Sequence, residues 1–176
     1  MSDRIRDAQA ALSDWLRADG LPGFETHAAV VDAALRLHDE PVEVALCYWL
    51  DLNRRLINVD EVARGAETEA TVSVRNVVRR AILADAHYCI VTHNHPSGCP
   101  EPSEADKSLA TKIDAALAVV GVFVLGHHVV SRGGFGCIRS GKIVRAEDVT
   151  ADTAAPSGRC PTCKQDWPQQ EKENPV

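Results

Sequence analysis

An α/β (α+β) fold, with helices packed against a mixed β-sheet, is predicted by three features of the 176-residue sequence. Apolar runs of strand length recur from Val44 onward, stretches at helical spacing separate them, and glycine or proline marks most boundaries. Hydrophobic residues make up 45% and charged residues 25%, so the chain has the apolar mass for one dominant core. No apolar run approaches the roughly 18 residues of a membrane span. The polar start Ser2-Asp-Arg-Ile-Arg-Asp7 does not read as a secretory signal. The expectation is a soluble, cytoplasmic protein without membrane association.

Residues 1–40 read as an N-terminal helical segment. Asp3 to Ala18 repeats apolar residues at Ile5, Ala8, Leu12, Trp15 and Leu16, and Gly20 with Pro22 supplies the stop. Glu25 to His38 forms a second helix through Ala28, Val31, Ala34, Leu35 and Leu37. Residues 41–148 form the main domain. Val44 to Leu50 is an apolar strand, Asp51 to Arg54 a turn and Leu56 to Ala63 a second strand, together a hairpin. Ser73 to Ala84 returns to helical spacing, and Tyr88 to Thr92 is a buried strand that leads into His93. After a loop rich in Pro and Gly, Ser103-Glu-Ala-Asp106 opens a helix that Gly121 stops. Val122 to Val130 and Phe135 to Ile138 are further strands, separated by Gly133-Gly134. Residues 149–176 have too few apolar residues for a core and read as a mobile tail. No internal repeat is visible.

The chemistry concentrates in His93-Asn-His95-Pro-Ser-Gly-Cys-Pro-Glu-Pro-Ser103-Glu-Ala-Asp106. Residues i and i+2 of a strand point to one side, so His93 and His95 can present two imidazoles to one point. Zinc takes nitrogen and carboxylate oxygen ligands, and a catalytic zinc keeps three protein ligands and an open position. Asp106 is the natural third ligand, because the proline-stiffened loop can turn its helix back toward the histidines. Spacing alone leaves a plainer reading open. A His-x-His can be a polar loop edge, and Ser103 with Asp106 also makes a good helix start.

The string His93-x-His95, seven residues, Ser103, two residues, Asp106 matches the JAMM motif of the JAB/MPN+ metallopeptidase-like superfamily. Thr-His-Asn-His-Pro-Ser-Gly-x-Pro-x-Pro-Ser-x-x-Asp closely resembles its RadC-like branch. The resemblance extends from about Glu43 to Ile138 and includes Leu50-Asp51, Arg55-Leu56, Gly65, Arg75, Ala81 and His127. It implies a curved mixed sheet flanked by helices, in the cytidine-deaminase-like JAB/MPN architecture. It also implies Zn2+ held by His93, His95 and Asp106, Glu43 as general base, and Ser103 stabilising the oxyanion. The implied reaction is hydrolysis of a peptide or isopeptide bond in a peptide or protein substrate by a zinc-activated water.

Three positions depart from the pattern. Gly126 stands where RadC-like chains usually have Asp, which would remove a carboxylate that orients a histidine. His128 occupies a normally apolar position, and Cys137 replaces the usual Ser. Residues 1–40 are too short and too acidic to resemble the helix-hairpin-helix region of longer members, so the chain reads as a short form.

The alternatives are a DNA-repair-associated module or a JAB/MPN binding module without catalysis. A net charge of -6 disfavours DNA as a partner without excluding it. Cys160-Pro-Thr-Cys163 resembles half a zinc ribbon, which needs four ligands. Cys99 reads as a loop residue or a redox-sensitive neighbour of the metal. His87, His127 and His128 read as satisfied or surface histidines, with a supporting part at the metal for His127. Arg79-Arg80 reads as a solvated helix face.

Overall fold

Strand β1 (Val44–Leu50) is buried at every position, as expected of a strand covered on both faces. The structure, a computed structural model, describes residues 29, 32–34, 36–37, 40–65 and 72–145. The helix expected over Asp3 to Ala18 and the tail with Cys160 and Cys163 lie outside those residues, as do parts of the Glu25 to His38 helix. Residues 29, 32–34, 36 and 37 are helical.

β1 forms the predicted antiparallel hairpin with β2 (Leu56–Arg64) and pairs on its other edge with β3 (Tyr88–Asn94), also antiparallel. β3 in turn pairs in parallel with β4 (Phe123–Ser131), which continues antiparallel into β5 (Gly134–Cys137) and β6 (Ile143–Arg145). The result is a six-stranded mixed sheet of order β2-β1-β3-β4-β5-β6. β6, a three-residue edge strand, was not anticipated; a segment so short carries no periodicity to read.

Two helices accompany the sheet. α1 (Val74–Leu83) is capped by Ser73, whose hydroxyl accepts from the Asn76 N–H, and α2 (Glu104–Val119) is the crossover between the parallel strands β3 and β4. Val77 and Ala81 of α1 and Ile113 and Leu117 of α2 are buried together with Cys47, Trp49, Cys89 and Val91. Burying these apolar side chains of the sheet against two helices contributes on the order of 1.5–3 kcal/mol for each large one. The expected solvation of Arg79-Arg80 holds for Arg79 only. Arg80 lies 3.2 Å from Asp60 of β2, whose other oxygen accepts from the Trp49 indole.

The opposite face packs Leu46, Tyr48, Leu50 and Ile90 against Ala29, Ala33 and Leu37. Asp32 is buried here, and its Oδ2 accepts from Arg36 at 2.6 Å and from the Tyr48 hydroxyl at 2.9 Å. Burial and this carboxylate push the Tyr48 hydroxyl pKa well up, so it stays protonated and donates. His128 lies on this face in register with Thr92 and is fully buried. Neither of its ring nitrogens has a hydrogen-bond partner among the described residues, contrary to the expectation of a satisfied or surface histidine. His87 is exposed, as expected.

Gly126, two residues before His128, leaves room for that ring: a Cβ there would stand 2.4 Å from His128 Cε1. The two departures noted in the sequence are therefore one packing solution. Gly126→Ala is expected to lose about 1–3 kcal/mol by overpacking, and the loss should vanish in a His128→Ala background. Urea unfolding of the two single variants and the double variant measures the coupling.

Candidate metal centre

β3 continues two residues beyond the expected Thr92, so His93 is in the sheet and His95 one residue past its end. The period of two then does what the spacing suggested. The Nε2 atoms of His93 and His95 approach to 3.2 Å. The loop turns α2 back so that Asp106 Oδ1 lies 3.2 Å from His93 Nε2 and Oδ2 lies 3.4 Å from His95 Nε2. These three residues form the one group among the described residues whose donor atoms converge tightly enough to hold a metal ion.

Asp106 is fixed by the start of α2. The Ser103 hydroxyl accepts from the Asp106 N–H at 3.1 Å, while Asp106 Oδ2 accepts from the Ser103 N–H at 2.7 Å and from its hydroxyl at 2.6 Å. Capping and ligand placement, alternatives on the sequence, are thus one arrangement: the capping box orients the carboxylate. Burial opposes ionisation of Asp106. Hydrogen bonds with His93, His95 and Ser103 outweigh it and hold the carboxyl well below its usual range. The same Asp106 contact raises the pKa of His95 despite partial burial.

The loop between the histidines and α2 is held by backbone contacts. His95 Nδ1 donates to the Cys99 carbonyl at 2.9 Å, which directs the lone pair of the neutral ring to Nε2. The Cys99 thiol is exposed and donates to Glu101. Across the loop, a Cβ on Gly133 would lie 2.5 Å from the Gly98 oxygen, and one on Gly136 2.3 Å from the Pro100 oxygen. Two glycines of the β4–β5 hairpin therefore allow the loop backbone to lie against the sheet.

Glu43 immediately precedes β1, half-buried, with Oε1 4.0 Å from His95 Nε2. Its placement depends on Asn94, which the sequence reading passed over. The residue between the two histidines must point to the other face. There Asn94 Oδ1 accepts from the Val44 N–H at 2.7 Å and its Nδ2 donates to the Val42 carbonyl at 3.1 Å.

His127 is buried on the face of the centre, and its Nε2 lies 2.7 Å from Asp114 Oδ1 of α2. The expectation that Gly126 deprives a histidine of its carboxylate is thereby corrected. Residue 126 points to the opposite face from His127, and Asp114 supplies the carboxylate. Burial lowers the His127 pKa against the opposing pull of Asp114, so the neutral ring donates its Nε2–H. His127 and Ile113 close one side of a cavity of about 120 Å³ whose other side carries Glu43, His93, Ser103 and Asp106. Four of the five residues singled out in the sequence thus line one cavity, and the fifth, His95, stands beside it against His93 and Asp106.

Two outcomes are expected. Asn94→Ala leaves the buried Val44 N–H without a partner and should cost about 1–3 kcal/mol, read by urea unfolding together with faster exchange of that amide. For His127 the unfolded ring binds its proton first, near pH 6.5. Its contribution is therefore complete above that pH and declines as pH falls toward the lowered folded value, by at most about 1.4 kcal/mol per pH unit. Unfolding midpoints of the chelator-treated chain between pH 7.5 and 5 should show this component, and His127→Asn should lose it.

Comparison with known proteins places this site in a family. The RadC-like JAB domain family matches residues 24–142. A UPF0758 protein of Methylibium petroleiphilum is 45% identical over 113 residues, 64% of this chain and 51% of the relative. UPF0758 proteins of Azotobacter vinelandii and Ralstonia pickettii are 42% identical over 123 residues and 41% over 122, covering 69% and 68% of this chain. Each alignment covers 54% of the relative, so the chain spans about half the length of the relatives it matches. With a family match over more than half its length, the chain belongs to the RadC-like JAB domain family.

Proposed function

We propose that this chain is a zinc-dependent hydrolase of JAMM type that cleaves a peptide or isopeptide bond. The observation that carries the reading is the spacing of the three donors. The two imidazole nitrogens stand 3.2 Å apart, near the edge of about 3.3 Å expected for tetrahedral zinc with bonds near 2.0–2.1 Å, and the Asp106 carboxylate faces both, Oδ1 at 3.2 Å from His93 and Oδ2 at 3.4 Å from His95. Two imidazoles and a carboxylate are also a common catalytic zinc donor set. His93 Nε2, His95 Nε2 and an oxygen of Asp106 would hold the ion. When bound, zinc supplies Lewis acidity that polarises a carbonyl and brings the pKa of a water near 7.

The remaining steps belong to side chains. Glu43, at the rim beside His95, takes a proton from the attacking water as the new carbon–oxygen bond forms at the scissile carbonyl. It then delivers that proton to the departing nitrogen as the carbon–nitrogen bond breaks, giving a carboxylic acid and an amine. The Ser103 N–H keeps Asp106 oriented, and the Ser103 hydroxyl at the same cavity exchanges its bond to Asp106 Oδ2 for one donated to the developing oxyanion.

Elemental mass spectrometry of the purified chain tests the site. About one zinc per chain is expected, lost in His93→Ala and retained in the Cys160→Ser/Cys163→Ser double variant. With a cleavable peptide pool, Glu43→Gln should keep its zinc and lose about 10²–10⁴-fold in rate. Zinc that follows only the cysteines, or a Glu43→Gln variant as active as the native chain, overturns the proposal.

A further inference from the structure

The cavity beside the metal centre has two unlike halves. Its rim carries His93, Asp106 and Glu43, whereas the inner wall between the sheet and α2 is aliphatic, formed by Ala45, Val91, Leu109, Ala110, Ile113 and Ile138. The polar side chain on the inner side is His127, and its Nε2 is already engaged by Asp114. An entering ammonium, guanidinium or carboxylate would therefore lose its water without gaining an ionic partner on that wall among the described residues. Size gives a second limit. A dry cavity of about 150 Å³ accommodates benzene, and this one, at about 120 Å³, shares its volume with the polar rim.

We propose that the inner half of this cavity receives one aliphatic side chain, of leucine size or smaller, from a substrate residue flanking the scissile amide. The inference rests on the hydrolase reading for the word substrate, but the pocket and its selectivity are properties of the chain alone. The aliphatic wall begins where the donors end, so an amide whose carbonyl reaches the centre brings the adjacent side chain to the wall. Ala45 on β1 and Ala110 on α2 are the small residues that keep the space open, and Ala105, exposed at the helix start, borders its mouth.

The test uses the 176-residue chain and three probes, N-acetyl-leucinamide, N-acetyl-phenylalaninamide and N-acetyl-lysinamide, in methyl-detected NMR titrations. The leucine probe should shift the Ala110, Ile113 and Ile138 methyl signals and bind about tenfold or more tightly than the other two. Ala110→Leu, which fills the pocket, and Ala105→Phe, which narrows the mouth from an exposed position, should each abolish those shifts. Equal binding of the lysine or phenylalanine probe, or no shift with leucine, overturns the proposal. Cleavage-site profiling of a peptide mixture with the zinc-loaded chain separates the two readings. An aliphatic preference at one flanking residue that moves to Gly and Ala in Ala110→Leu supports the pocket. Cleavage with no such preference overturns it. Leucine binding without any cleavage supports the pocket and counts against the hydrolase.

Discussion

The antiparallel seam between β1 and β3 is the constraint on which the site depends. Ala45 faces His93 across it, and Asn94 ties the chain just before β1 to the end of β3 through the Val44 N–H and the Val42 carbonyl. Glu43 is 50 residues from His93 in sequence, yet this clamp fixes its backbone to the strand that carries the histidines. Because successive strand residues face opposite ways, His93 can be a donor on one face only if Asn94 serves the other. A slip of one residue would exchange them and dissolve both arrangements.

Bringing two imidazoles and a carboxylate within hydrogen-bonding distance concentrates lone pairs at one point, and the surroundings hold them there. The start of α2 places its positive end and the Ser103 N–H and hydroxyl at Asp106. The Cys99 carbonyl orders the His95 tautomer. The loop that closes the cluster lies against the backbone of Gly133 and Gly136, where any side chain would push it away. The centre is thus held by helix capping, a backbone acceptor and two absent side chains, each with a separate place in the chain.

Much of this was legible in the sequence because it is local. His93 and His95 share a side through strand periodicity, and the Ser103–Asp106 capping box is written in four consecutive residues. The hairpin of β1 and β2, both helices and the strands around Gly133-Gly134 emerged within a residue or two. What escaped depends on pairs distant in sequence. Asn94 reads as filler between two histidines until its partners at 42 and 44 are known, and Asp114 reads as an ordinary solvated helix residue until β4 delivers His127 to it. Gly126 reads as a lost carboxylate when positions alone are compared. The face that each position serves decides the matter, and residue 126 serves the face of His128.

The same geometry explains why a charged centre and an aliphatic wall can share one cavity. Both are presented by alternate residues on the face of the sheet beneath α2. The polar ones cluster at the C-terminal end of β3 and the first turn of α2, and the apolar ones follow as the strands and helix recede from that end. This is the end at which ligands gather in folds with parallel strands, since the strand terminates and the helix begins there. An aliphatic wall next to the donors lowers the local dielectric, so each interaction made by Glu43 and Ser103 is stronger than it would be in water. His127 can line such a wall only because burial keeps it neutral and Asp114 accepts the hydrogen bond from its remaining N–H, leaving the wall effectively uncharged at neutral pH.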